Sequence, residues 1–211
     1  MKTVKTILKA ALLITLLSFA SCSSDDDDQG GNPVKSNSYK VDGGEYATPN
    51  LYLIIDGSGT NYDSDYTFMF TDKIMREDAT NGVSMSTDTN QFSSLSFDNG
   101  GASVSSITAV TNQITVGSHP LDDDTEAGFN ISNWNDTYMY NSQQFGVPVG
   151  YVGYDLESSF SGAHLNIESI TIDVAARTGT INCTYVFYSY STGVPINGEY
   201  EGTFTILNDS I

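Results

Sequence analysis

Beyond residue 38 the chain alternates between apolar and polar positions with a period of two, the spacing of strands with one face toward a core. The pattern is clearest in the last third. Residues 169–176 read SITIDVAA, with Ile170, Ile172 and Val174 on one face and Thr171 and Asp173 on the other. Arg177-Thr178-Gly179 has the composition of a three-residue hairpin loop, with the glycine at the left-handed position. Residues 180–190 follow, TINCTYVFYSY, with Ile181, Cys183, Tyr185 and Phe187 sharing a face. A Gly/Pro/Asn-rich turn over 191–198 leads into EYEGTFTIL. There Tyr200, Gly202, Phe204 and Ile206 point inward and Glu201, Thr203 and Thr205 point to water. This is the pattern of an antiparallel meander with one solvated face.

Shorter alternations precede it. Residues 39–41 enter a turn at Asp42-Gly43-Gly44, and residues 51–55 end at Asp56-Gly57-Ser58-Gly59. Residues 65–71 set Tyr66, Phe68 and Phe70 against Thr67, Met69 and Thr71. Residues 93–97, 106–110, 114–117, 129–134, 137–140 and 149–158 are further strand candidates, with 106–110 and 114–117 joined at Thr111-Asn112-Gln113. No segment holds a helical period over three turns, and no repeat recurs at a fixed spacing. The expected fold is all-β, an antiparallel β-sandwich or a calycin-like β-barrel of about ten strands.

The first 38 residues follow other rules. Lys2, Lys5 and Lys9 form a basic start, and residues 10–20 form a short apolar run, AALLITLLSFA. A membrane-spanning helix needs roughly 20 apolar residues, so this run reads as the core of a secretory signal peptide. It ends in Phe19-Ala20-Ser21-Cys22, and Ser24-Asp25-Asp26-Asp27-Asp28 comes next. The first motif resembles the lipobox of bacterial lipoproteins, with Phe19 at the position usually held by Leu. The resemblance implies cleavage before Cys22 and acylation of that cysteine by diacylglycerol and a fatty acid such as palmitate. The acidic run resembles the export signal of surface lipoproteins in the Bacteroidota, which implies an outer-membrane anchor with the domain facing the cell exterior. The expected organisation is therefore a lipoprotein signal peptide over 1–21, an acidic disordered tether over 22–38 and a single all-β domain over 39–211.

Charge narrows the partners. Removing Lys2, Lys5 and Lys9 from the eight basic residues leaves five against 26 acidic ones, a net charge of −21 against −18 for the whole chain. Such a chain repels phosphate backbones, which excludes nucleic acid, and it repels anionic headgroups, so membrane attachment falls to the acyl chains. There are two cysteines. With Cys22 committed to lipid, Cys183 stands as a free thiol and the domain relies on its core rather than on a disulfide.

Catalytic chemistry is weakly represented. His119 and His164 are the two histidines, and neither is accompanied by a G-x-S-x-G nucleophile elbow. Glu199 and Glu201 sit two residues apart like a carboxylate pair, but a charged solvent-facing edge explains them better. No catalytic residue is assigned, no cofactor is expected and the chain reads as a non-enzyme. Asp122, Asp123, Asp124 and Glu126 group hard oxygen ligands in one loop, a candidate calcium site without EF-hand spacing. Trp134, Tyr138 and Tyr140 lie among Asn and Asp, a candidate ligand-binding patch or else part of the core.

The strand patterns SYKVDGGEYAT, QITVGSHPL and ESITIDVAARTGTINCTYVF with INGEYEGTFTI resemble a broad group of small Bacteroidota lipoproteins of uncharacterised function. That likeness implies an all-β domain and carries over no catalytic residue. The expected function is a cell-surface binding or interaction module anchored through Cys22, its protein or glycan partner unidentified. The alternatives are a glycan-binding accessory protein of a nutrient-uptake system and a lipid-binding calycin-like barrel.

Overall fold

The computed structural model describes residues 35–78, 82–86, 88–100, 102–121, 125–130, 137–140, 143–146, 162–188 and 193–209. The N-terminal hairpin is β1 (Ser38–Val41) and β2 (Gly44–Ala47), followed by the long strands β3 (Asn50–Ser58) and β4 (Asn61–Thr71). A small hairpin comes next, β5 (Met75–Asp78) and β6 (Gly82–Met85), then β7 (Phe92–Phe97) and β8 (Ser103–Val104). Helix α1 (Ile107–Thr111) leads to β9 (Gly117–Pro120) and β10 (Thr125–Asn130), and β11 (Thr137–Tyr140) pairs with β12 (Gln143–Gly146). The chain closes with the long meander β13 (His164–Asp173), β14 (Thr178–Tyr188) and β15 (Pro195–Asp209).

The all-β expectation holds. The main sheet runs β10-β7-β4-β3-β15-β14-β13-β9, with β1, β2 and β8 attached to it. Strand β15 takes two neighbours in series on one edge: β1 antiparallel at Asn197, Gly198 and Glu199, then β3 parallel from Phe204 to Asp209. The sheet curls into a half-barrel, because side chains from distant strands meet across its concave face. Phe129 on β10 packs on Phe187 of β14 with ring centroids 6.1 Å apart, and Phe97 on β7 meets His119 on β9 at 6.4 Å. Phe70 of β4 lies 4.8 Å from Tyr185 of β14. Tyr39, Phe68, Phe70, Phe129, Phe187 and Phe204 are fully buried there. Each such side chain contributes about 1.5–3 kcal/mol by leaving water.

The meander matches its sequence pattern in which residues face the core, although β13 starts earlier, at His164, and β15 starts inside the expected turn, at Pro195. Ile181, Cys183, Tyr185 and Phe187 are buried and the residues between them half-exposed. Tyr200, Phe204 and Ile206 are buried, while Glu201, Thr203 and Thr205 face water. Its first turn differs from expectation. Arg177, not Gly179, adopts the left-handed conformation, with φ 53°. Gly179 is already in β14, where an added Cβ would meet the ring of Phe204 and the carbonyl of Thr171. Close cross-strand approach, not turn geometry, calls for glycine there.

Three further expectations are corrected. Residues 106–110 form no strand: Ser106 caps a helix, its Oγ accepting from Ala109 N at 3.2 Å. Ile107, Val110 and Ile114, spaced i, i+3 and i+7, then reach the core together. The partner strand accordingly starts later, at Gly117, and no hairpin forms at 111–113. The second face of β4 is also dry. Met69 and Thr71 are buried because the β5–β6 hairpin lays Met75, Val83 and Met85 over Tyr52, Ile54, Met69 and Leu207. The main sheet has eleven strands, and the β5–β6 and β11–β12 pairs bring the described residues to fifteen.

Residues 35–38, which the sequence reading gives to the tether, are held against the sheet. Lys35 Nζ donates to Glu168 Oε1 at 2.9 Å and to the carbonyl of Cys183 at 3.2 Å. Asn37, left-handed with φ 50°, exchanges hydrogen bonds with the backbone of Glu201. Ser38 already belongs to β1.

Candidate functional site

The register of four strands builds the site. His164 on β13 pairs with Val186 on β14, Val186 with Asn197 on β15, and Asn197 with Lys40 on β1. The adjacent row of the same face carries Asn166, Thr184, Glu199 and Ser38 in the same order. Period two places both rows on the convex side, since Leu165, Tyr185, Gly198 and Tyr39 between them turn to the core side. The rows line a cleft of about 340 Å³.

Its rim at β1 is fixed by a hydroxyl chain. Ser36 N and Oγ donate to Glu199 Oε1 at 3.1 and 2.6 Å, Ser36 Oγ lies 2.7 Å from Ser38 Oγ, and Ser38 Oγ donates to Glu45 Oε1 at 2.8 Å. The Ser36 hydroxyl and amide, helped by the charges of Lys40 and Lys35, hold the Glu199 carboxyl below the usual range. The hydrogen bond from the Ser38 hydroxyl is the main cause of the same lowering at Glu45. Lys40 Nζ stands 3.8 Å from Glu45 Oε2. On the far side His164 Nδ1 lies 2.6 Å from the carbonyl of Gly162, so Nδ1 carries the proton.

A second cleft, about 370 Å³, lies on the β5–β6 hairpin among Lys73, Ile74, Arg76, Ser84 and Asp88. Its charges are largely spent on each other. Lys73 pairs with Asp88 at 3.5 Å, and Ser86 donates to the same carboxylate.

Of the residues singled out from sequence, His164 and Glu199 line the first cleft. Cys22, Ser24, Asp25, Asp26, Asp27, Asp28, Trp134, Asp122, Asp123 and Asp124 lie outside the described residues. Glu126 is on β10 opposite Ser96, and Tyr138 and Tyr140 are on β11 opposite Phe145 and Gln143. Among the described residues no three His, Cys, Asp or Glu side chains lie together as metal ligands would. The two histidines occupy opposite faces. His119 pairs with core-facing Leu165 and its Nε2 donates to Thr115 O at 2.8 Å, while His164 opens onto the convex cleft. No helix among the described residues is long and apolar enough to cross a membrane. The chain matches no protein-family model, no curated protein and no solved structure.

Lys40, Thr184 and Asn197 carry no motif in the sequence. Their one signal is that they are the polar members of alternating strands, which every solvated strand face provides.

Proposed function

We propose that the protein is a lipid-anchored, non-catalytic binding module displayed on the outer face of an outer membrane. The observation that carries this reading is Phe19-Ala20-Ser21-Cys22 with Asp25, Asp26, Asp27 and Asp28 close behind it. An apolar segment too short to span, ending in small residues and a cysteine, fits processing and acylation at Cys22. Two acyl chains or more give stable anchoring, which a chain this acidic needs against anionic headgroups. The hydrogen bonds of Lys35, Ser36 and Asn37 to the sheet support the reading too, since a folded domain fastened from Lys35 on leaves the residues between it and Cys22 to serve as a tether. The cleft that follows offers hydroxyl, carboxamide, carboxylate and ammonium groups for hydrogen bonding to a ligand.

The test is metabolic labelling with an alkyne fatty acid followed by membrane fractionation. Wild type should carry the label and sediment with membranes, and Cys22→Ser should lose both properties. Labelled, membrane-bound Cys22→Ser protein would overturn the anchor.

A further inference from the structure

The geometry points to the cleft across β1, β15, β14 and β13 as a binding site for a neutral, hydroxyl-rich ligand, a saccharide. This rests on the reading of the protein as a binding module and names the ligand class of its cleft.

Several of the polar groups lining the cleft are unspent. Among the described residues the Thr184 hydroxyl and the Asn197 carboxamide have no partner, and neither has Glu199 Oε2. Lys40 makes one ion pair among the described residues, with Glu45 at 3.8 Å, and its charge also acts on Glu199. With Nδ1–H given to Gly162 O, a neutral His164 leaves Nε2 as a lone-pair acceptor. The inventory is therefore mixed. Lys40 donates, His164 Nε2 and Glu199 Oε2 accept, and Thr184 and Asn197 do both.

A ligand that matches this set must itself donate and accept at neighbouring atoms. A hydroxyl does so, and a ring bearing several hydroxyls does so repeatedly. Anions fit badly, because they offer acceptors to two acceptors and approach a chain of net charge −18. Organic cations would meet Lys40. Val186 lies between His164 and Asn197 in its row, giving the C–H face of a ring an apolar surface. The volume, about 340 Å³, is at the small end of the range of about 300–1,000 Å³ in which ligands are held.

The position also suits capture at a surface. Lys35 is 13 residues from Cys22, a span of at most about 45 Å when fully extended. Ser36 and Ser38, next to Lys35, form the hydroxyl chain at the rim. An occupied cleft would stay near the root of the tether.

The experiment titrates the purified full chain, followed by saturation-transfer NMR, with methyl glucoside, N-acetylglucosamine, maltose and cellobiose. Inorganic phosphate and glycylglycine stand for the anionic and zwitterionic classes. At least one saccharide should bind saturably, and phosphate and glycylglycine should not. Asn197→Leu and Thr184→Val should each weaken that binding about tenfold, the scale of one lost hydrogen bond plus the group left unpaired. Thr180→Val, on the same face outside the cleft, should bind as wild type does. Circular dichroism confirms that each variant is folded, and Lys40→Met replaces any that is not. Saccharide binding untouched by the cleft variants, binding of phosphate or glycylglycine instead, or no saccharide binding would each overturn the proposal. Fatty-acid labelling of the same preparation separates the two readings. An unlabelled protein that binds sugar removes the anchor alone, and a labelled one that binds none removes the saccharide site alone.

Discussion

The ring of Tyr185 lies over the α-carbon of Gly198, its cross-strand partner on β15. The ring is wedged further by Phe70 at 4.8 Å and by Phe187 stacked at 6.2 Å. A Cβ on Gly198 would run into the ring itself, and the core around Tyr185 leaves the ring nowhere to go. Gly198→Ala should therefore destabilise the domain by about 1–3 kcal/mol, the cost of overpacking a filled core. Gly202 sits four residue pairs along the same ladder, but its nearest neighbour, the Tyr200 hydroxyl, is 3.4 Å from an added Cβ. Gly202→Ala should change stability by less than about 1 kcal/mol, since a strand-interior glycine carries its own entropic penalty. Urea denaturation midpoints at unchanged slope measure both. Equal losses would mean that Tyr185 is not pinned over Gly198.

Cys183 is fully buried on the face it shares with Ile181, Tyr185 and Phe187. Burial pushes its thiol up to about 12 from an ordinary 9.0. In native buffer it should resist iodoacetamide and react only after denaturation, as read by intact mass. Cys183→Ala removes few atoms and should cost about 1 kcal/mol. Cys183→Asp buries an unpaired charge and should cost several times as much. Rapid native labelling would show that the outer and inner faces of β14 had been exchanged.

The same burial makes the domain sensitive to alkali. Desolvation raises Tyr66 and Tyr200 to about 12 from an ordinary 10.0, and it raises Tyr39 and Tyr185 beyond them. In the unfolded chain these phenols and the Cys183 thiol release protons from about pH 9 upward, whereas the folded domain keeps them. The unfolded state then binds fewer protons than the native state, so stability falls as pH rises from about 9 to 12. Tyrosinate absorbance from the buried phenols should appear with loss of the circular-dichroism signal in one transition. A gradual titration at constant ellipticity would count against that burial.

The β5–β6 hairpin covers the convex core with few residues, so its fastenings matter. Glu77 pairs with the Arg177 guanidinium and accepts from Asn208 N at 2.6 Å. Burial alone would raise the Glu77 carboxyl, but Arg177 and the Asn208 amide more than offset it and hold it below its ordinary 4.5. Asp209 Oδ1 accepts from Val83 N at 2.9 Å on the other strand. A depressed carboxyl contributes stability above its unfolded pKa and loses it as pH falls through the folded one. Glu77→Gln should speed amide exchange in β5 and β6 at neutral pH while costing less than about 1 kcal/mol globally, since the pair is part-exposed. The difference from wild type should vanish in acid. Unchanged exchange in the hairpin would show that apolar contacts alone hold it.

How far the sequence could be read depended on how each element buries itself. Strands β14 and β15 have one wet face, so period two exposed Ile181, Cys183, Phe204 and Ile206 as core directly. Strand β4 is dry on both faces from Phe68 on, and a threonine such as Thr71 does not announce that a hairpin will cover it. The hairpin itself is two four-residue strands, with Arg76 and Glu77 beside the buried Met75. Helix α1 is five residues long, under the length at which a 3.6 period stands out from a 2.0 period, and the Ser106 cap was the local clue. The cleft was illegible for another reason. Lys40, His164, Val186 and Asn197 come from four strands spread over most of the domain, and only their register brings them together.

The acidic run after Cys22 has two separable consequences. Like charges in a block repel and keep a segment extended, which would hold the domain off a membrane whatever machinery is present. An export signal must in addition be recognised, and recognition depends on sequence position as well as charge. Replacing Asp25, Asp26, Asp27 and Asp28 with Ala removes both, whereas moving the four aspartates to positions 29–32 keeps the charge and shifts its distance from Cys22. Both variants should still be acylated, because the box ending at Cys22 is intact. If the run is an export signal, protease added to whole cells should cleave wild type and spare both variants. If it is a tether alone, the shifted variant should be cleaved as readily as wild type. Fatty-acid labelling of the same samples confirms that each variant reached the membrane, so a spared protein is one facing inward rather than one never anchored.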